Sequence, residues 1–395
     1  MADGENDDDS NGMQYEYVTH VERNHDGSKL AAALSSREVK IYGGGDYTLR
    51  IEGTMTGHTG AITQIAFAPG DPHALLSSSQ DGTVKGWDTR TLKESMNFGQ
   101  SGEEIWSVAL NHESTLCATG KGHTVEFFDL RKAGKALGTY SESHTDVVTQ
   151  VTFHPHKHSF LASGSEDGLM CYFDTAISSE EDALESVMNT ECPVRTMGFF
   201  GPEGAGLYCC SSAETLTLWE AQTAQRIVDF GDIRSMARGE TNPLPPSSGG
   251  EGSERGQGWG VPVDYIVGCQ YETRSDRLCL VGGDFKGGGC MASVTSVSVT
   301  PEAVLGEGGH REQIRAFDWL EPGMITGGED AKLCSWRAPG SGRRGAGGVT
   351  QSGGGISRHI ERGASSSPAA GAVRHREEHR AGRAFQPYDA TGRRR

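Results

Sequence analysis

The sequence predicts an all-β fold, a propeller of seven blades, and three observations predict it. The first is a phrase that recurs along the chain: Gly57-His58, then Asp81-Gly82, then Trp87-Asp88. It returns as His144, Asp167-Gly168 and Phe173-Asp174, and again as Gly309-His310, Asp330 and Trp336. The second is its period. Tyr42, Trp87, Phe128, Phe173 and Trp219, each closing a third strand, follow one another at 45, 41, 45 and 46 residues, close to the roughly 40–45 of a propeller blade. The third is strand alternation inside each unit. Ala61-Ile62-Thr63-Gln64-Ile65-Ala66-Phe67-Ala68-Pro69 alternates apolar and polar, and Val148-Thr149-Gln150-Val151-Thr152-Phe153 repeats the pattern.

The elements follow in order. Residues 1–12, with Asp7-Asp8-Asp9, are acidic and polar, so they are expected to be disordered and are the opposite of a secretory or mitochondrial leader. The propeller is expected over residues 13–337. In its clearest unit Ala74-Leu75-Leu76-Ser77 is a short buried strand, Gln80-Asp81-Gly82 a hairpin turn and Thr83-Val84-Lys85-Gly86-Trp87 the third strand. From Trp219 to Trp336 the gap is 117 residues, room for two blades and an insertion of about 25–30 residues. Asn242-Pro243-Leu244-Pro245-Pro246-Ser247-Ser248-Gly249-Gly250 lacks the residues of a packed core, so roughly residues 238–262 are expected to be a disordered surface loop. Asp264–Gly268 and Leu278–Asp284 then begin a degenerate sixth blade, with its third strand near Cys290–Val294. Seven blades result. Residues 338–395 form a Gly/Arg-rich tail, also expected to be disordered.

Glycine-histidine at one end and tryptophan-aspartate at the other is the signature of WD-type blades. That resemblance implies a buried network in which the turn aspartate bonds the histidine, the histidine a strand serine or threonine, and that hydroxyl the indole. One such set is His58, Ser77, Asp81 and Trp87; another is His310, Thr326, Asp330 and Trp336. A third, His144, Ser163 and Asp167, ends at Phe173, which has no N–H, so its network must be shorter. A satisfied polar chain rigidifies a blade, and these residues are expected to be structural, not catalytic.

Beyond the repeat, three stretches resemble the WD repeat-containing protein 89 family: Tyr140–Val151, Ser178–Leu184 and Gly327–Leu333. The resemblance covers roughly residues 30–337. It implies a seven-bladed interaction scaffold with no assigned enzymatic activity. The N-terminus departs from the family: only about residues 13–21 precede the first blade's second strand. The strand that usually locks the last blade to the first is therefore expected to be partial or absent.

Composition narrows the function. The chain carries a net charge of −17; twelve arginines against four acids from Arg337 onward give that segment +8 and leave −25 on residues 1–336. An acidic body repels nucleic acid and favours basic partners. Nucleic acid is disfavoured except through the tail, which ends Arg393-Arg394-Arg395 but has few stacking aromatics beyond Phe385 and Tyr388. No run approaches about 18 apolar residues, so no membrane span is expected. The nine cysteines form no CxxC pair and lie mostly in apolar runs, which reads as buried thiols in a reducing compartment, cytoplasm or nucleus.

No enzyme is expected, and no cofactor, metal or small-molecule substrate. His375-Arg376-Glu377-Glu378-His379 matches a zinc-peptidase spacing but sits in the tail with no helix to pack. His154, His156 and His158 fall at the end of a strand and in a turn expected to be solvated. Two partner surfaces remain. At the mouth of the propeller, Gln80, Glu166 and Glu329 precede the turn aspartates, and Asp146 and Glu312 follow the histidines; four of the five are acidic and would suit a basic protein segment. Separately, Trp87-Asp88-Thr89-Arg90, with an imperfect copy Phe128-Asp129-Leu130-Arg131, resembles the WDxR box through which some propellers dock on a cullin-RING ubiquitin ligase adaptor. Trp87, Asp88, Arg90, Asp129 and Arg131 would carry that contact.

Overall fold

A blade of this sequence has two apolar faces and cannot bury either alone, so blades must stack against one another. In the computed structural model they do so seven times. The structure describes residues 16–43, 49–99, 102–132, 136–240, 258–306, 309–320, 323–337 and 357–361. These form seven four-stranded antiparallel meanders, each in simple sequence order. The inner strands are Val18–Arg23, Ile62–Ala68, Ile105–Leu110, Val148–Phe153, Val194–Phe200, Tyr265–Glu272 and Ile314–Leu320. Each touches the next, and the seventh touches the first, so they ring a central axis.

The core is divided accordingly into seven clusters, one at each seam between blades. At the seam of blades 1 and 2, Ala31 and Ile41 meet Ile65, Leu75 and Trp87. Every inner strand carries a register shift near its start, for example between Ile62 and Gln64. Such a bulge adds twist and re-aims the extra side chain.

Polar bonds cross the seams beside this apolar packing. Glu22 accepts the N–H of Phe67 at 2.9 Å, Gln64 that of Val108 at 3.0 Å, Ser107 that of Val151 at 2.8 Å and Gln270 that of Trp319 at 2.7 Å. Thr196 donates to Gln150 at 3.1 Å, and the Tyr208 hydroxyl to the Cys269 carbonyl at 2.7 Å. The remaining seam, where the chain's two ends meet, is closed by an ion pair: Arg23 Nη2 lies 3.0 Å from Asp318 Oδ2, both side chains about nine-tenths buried.

Two boundaries differ from those expected. As for the N-terminal locking strand, expected to be partial or absent, Val18–Arg23 forms the inner strand of blade 1 and does not join the sheet of the last blade. The last blade takes its outer strand from beyond residue 337: Ser357–Glu361 pairs antiparallel with Leu333–Arg337. The chain thus closes through apolar and ionic contacts between blades 7 and 1, with Val18 and Val21 packed against Ala316, Ile325 and Leu333. The inserted loop is narrower than residues 238–262. Residues 238–240 continue from the helix Ile233–Ala237, and Trp259 donates its N–H to the Ala237 carbonyl at 2.9 Å while it and Val261 pack on the core. The rest of that loop, residues 241–257, and the expected disordered N-terminus lie outside the described residues.

Glu22 lies among the inner strands, and its carboxyl is pushed up to about 8, first by desolvation and further by Asp318 beside it. The sign of the consequence is fixed. Below about pH 4.5 the group is protonated in both folded and unfolded chains and costs nothing. As pH rises toward 8 the unfolded chain ionises while the folded one holds its proton, so stability is lost across that window. Glu22→Gln keeps the acceptor for Phe67 and removes the proton. It is expected to stabilise the protein above pH 8 by on the order of 1–2 kcal/mol, discounted because part of the side chain remains accessible, and to be neutral near pH 4.5. Thermal melts of both proteins across pH 4.5–9 check this; parallel curves would refute it.

Candidate functional site

The recurring phrase is brought together in space. In blade 2, His58 Nδ1 lies 2.9 Å from Asp81 Oδ2, His58 Nε2 lies 2.8 Å from Ser77 Oγ, and Trp87 Nε1 donates to the same hydroxyl at 2.8 Å. Blade 7 repeats it: His310 to Asp330 and to Thr326, both 2.8 Å, and Trp336 Nε1 to Thr326 at 2.8 Å. Gly309 precedes its histidine because the loop crosses the indole; a Cβ there would come within 2.3 Å of Trp336. Burial works to raise the Asp81 carboxyl, but the Thr83 hydroxyl, the Thr59 N–H and His58 overcome it and hold it well below the carboxylate range. Burial keeps His58 neutral against the pull of Asp81.

Blade 4 departs from this pattern. His144 meets Asp167 at 3.2 Å and Ser163 at 2.6 Å, and there the chain stops. Phe173 stands where an indole would be, with Tyr140 packed against it at 5.0 Å. A second lock is present instead. The Glu180 carboxylate accepts the N–H groups of Ser141, Glu142 and Ser143 at 2.5, 3.0 and 2.7 Å and the Ser143 hydroxyl at 2.6 Å, and Tyr140 Oη donates to the Ile177 carbonyl at 2.7 Å. Tyr140–Val151 and Ser178–Leu184, distant in sequence, are therefore one structural unit. Blade 3 has Phe128 in the indole's place, and the buried Thr119 hydroxyl has no hydrogen-bond partner among the described residues.

The five mouth residues share a placement. The N–H groups of Gln80, Glu166 and Glu329 donate at 2.9 Å to Ala61, Val147 and Gln313, each the residue just before an inner strand. Their side chains therefore lie at the end of the ring where the network turns gather. Asp146 and Glu312 are exposed on the adjoining loops. Their surroundings differ, which the sequence did not show. Glu329 is neutralised by Arg315, whose Nε is 2.8 Å away. Glu166 has no ion pair among the described residues, and partial burial followed by Asp146 raises its carboxyl.

Asp88–Arg90 and Asp129–Arg131 stand at the next turn of each meander, hence the opposite face, while Trp87 is buried in its strand with its indole N–H donated to Ser77. Arg90 chelates Asp88 through its N–H at 2.9 Å, its Nε at 3.1 Å and its Nη2 at 2.9 Å; Arg131 does the same to Asp129 at 3.0, 2.9 and 3.0 Å. The guanidinium side chains remain 62% and 71% exposed. Asp232 and Arg234 form a third such chelate at the mouth end of blade 5, so the arrangement is first a turn device.

His154 contradicts the solvated turn expected for it. It is buried, its ring 4.8 Å from Phe199, and its Nδ1 accepts the N–H groups of His156 and Lys157 at 3.0 and 2.9 Å. Burial pushes its pKa down to about 4. Among the described residues no cluster of three His, Cys, Asp or Glu side chains could hold a metal. His375–His379 and Arg393–Arg395 lie outside them.

Seven meanders, a closed ring and the His–Asp–Ser/Thr–Trp network define a WD-repeat propeller, and the WD domain, G-beta repeat pattern matches residues 44–88 and 134–174. The chain is 35% identical over 310 residues to the WD repeat-containing protein 89 homolog of Dictyostelium discoideum, covering 78% of this chain and 79% of the relative. It belongs to the WD repeat-containing protein 89 family. It is also 31% identical over 348 residues to WD repeat-containing protein GTS1 of Arabidopsis thaliana, covering 82% and 81%. Similarity to the guanine nucleotide-binding protein subunit beta of Zea mays, 29% over 215 residues, covers 52% and 56%.

Proposed function

We propose that the protein is a non-enzymatic scaffold whose mouth face captures a basic segment of another protein. The observation that supports this is the placement of the acids there: Asp146 and Glu166 stand together without an ion pair among the described residues, and the Glu166 carboxyl is raised first by partial burial and then by Asp146. A cation supplied by a partner relieves that repulsion. The network histidines and aspartates already have their partners within the blade, which supports a structural role for them. Binding of a basic peptide is expected to weaken steeply between 50 and 200 mM salt, by roughly tenfold, because exposed pairs screen over about a Debye length. Asp146→Lys with Glu166→Lys should abolish it. Binding unchanged by salt and by both reversals, measured by fluorescence anisotropy, rejects the reading.

A second reading rests on Arg90 and Arg131, two exposed guanidiniums on successive blades of the opposite face. It makes the protein a substrate receptor docked on a cullin-RING ligase adaptor. Pulldown with purified adaptor tests it: wild-type protein that fails to bind removes it.

A further inference from the structure

The bulge in each inner strand places one residue at the mouth of the ring, and the seven such residues are Thr19, Thr63, Trp106, Thr149, Arg195, Val267 and Arg315. The polar ones are engaged. Thr63 and Thr149 donate to the Ile105 and Val194 carbonyls of the next blade at 2.6 and 2.7 Å, and Thr19 to Ala33 at 3.2 Å. Arg195 pairs with Glu214 at 3.4 Å and Arg315 with Glu329. Trp106 is the exception. It is the one aromatic of the seven, it is part-exposed, and its indole has neither a hydrogen bond nor a stacked ring or cation among the described residues.

Its surroundings are unneutralised. Glu103 and Glu104 immediately precede its strand and are exposed. The Glu103 carboxylate lies over Gly122, where a Cβ would meet it at 2.0 Å, and the Gly122 carbonyl accepts the Val148 N–H of blade 4 at 2.7 Å. Asp146 and Glu166 sit on the blade 4 side of that seam, held through Val147. In blades 5 and 7 the chain's own arginines cover Glu214 and Glu329; at the seam of blades 3 and 4 none of these four acids has an ion pair among the described residues.

We infer that Trp106 is the anchor of this face and takes a cationic side chain of a partner's basic segment, arginine or lysine, over its indole with the carboxylates of Glu103, Glu104, Asp146 and Glu166 around it. An indole face is the best of the aromatic surfaces for a cation, and aromatic anchors dominate interface energetics. The inference rests on the proposed capture of a basic segment and names the group that is read.

The test uses the full chain and four fluorescein-labelled Gly/Ser peptides, identical except for one central residue (arginine, lysine, trimethyllysine or glutamine) between flanking lysine pairs, at 50 mM salt. The cationic centres are expected to bind at least fivefold tighter than glutamine. Trp106→Ala should erase that difference while keeping the weaker binding due to the flanking lysines, and Trp106→Phe should retain part of it. Asp146→Asn with Glu166→Gln should weaken all four peptides. Trimethyllysine above lysine supports recognition by the ring face, and lysine level with it supports recognition by charge and ring together. If Trp106→Ala leaves the difference intact while the acid variant still weakens binding, the anchor is wrong and the capture of basic segments stands. If neither variant alters binding, both are wrong.

Discussion

Asp318→Leu is expected to lower the thermal midpoint by on the order of 10 °C, a cost of about 3–5 kcal/mol, because it leaves the Arg23 guanidinium in a site about nine-tenths buried without its carboxylate. Every other seam joins blades that are consecutive in the chain, and this one alone must hold the two ends of the propeller together. The side chain of Gln270 also bonds Asp318, so removal of the carboxylate disturbs the neighbouring seam as well. The informative partner is the double variant Arg23→Met with Asp318→Leu. A buried pair replaced as a whole by apolar groups of similar size is often neutral, whereas a broken pair is not. The double variant should therefore recover to within about 1 kcal/mol of wild type. A single variant that melts like wild type would show that the ring is held by Val18, Val21 and their neighbours alone.

The architecture was legible because it is written in a period. Tyr42, Trp87, Phe128, Phe173, Trp219 and Trp336 all fall in third strands, and the degenerate sixth blade has its third strand at Gly289–Val294. The closure was not legible, since it depends on which ends meet. Nothing in Val18–Arg23 announces an ionic seam with a strand about 300 residues away, and Ser357–Glu361 lies in a segment whose composition suggests no strand.

The site was legible in part for a similar reason. Motif spacing locates Gln80, Glu166 and Glu329 beside the inner strands, but whether an acid is covered depends on the bulge residue of its own inner strand. Arg315 covers Glu329, and blade 4 has Thr149 there, which leaves Glu166 uncovered. Trp106 was missed because the phrase directs attention to the turns. Aligning the extra residue near the start of each inner strand would have exposed it as the one aromatic in the ring.

Ser77→Ala is expected to cost more than the corresponding change in blade 4, although both remove one buried serine hydroxyl. Ser77 serves two donors or acceptors, His58 Nε2 and Trp87 Nε1, both at 2.8 Å and both in buried residues. Among the described residues Ser163 serves only His144. An orphaned buried polar group costs about 1–3 kcal/mol, so Ser77→Ala should cost about 2–5 kcal/mol and Ser163→Ala about 1–3. The Phe173 of blade 4 suggests the control. Trp87→Phe gives blade 2 the same truncated network, and in that background Ser77→Ala should cost only about what Ser163→Ala does. The cost that disappears measures the indole's bond to the hydroxyl in place, by thermal or denaturant unfolding. Equal costs for Ser77→Ala with Trp87 present and absent would mean that the indole is held by packing alone, and that Phe128 and Phe173 cost their blades nothing by lacking an N–H.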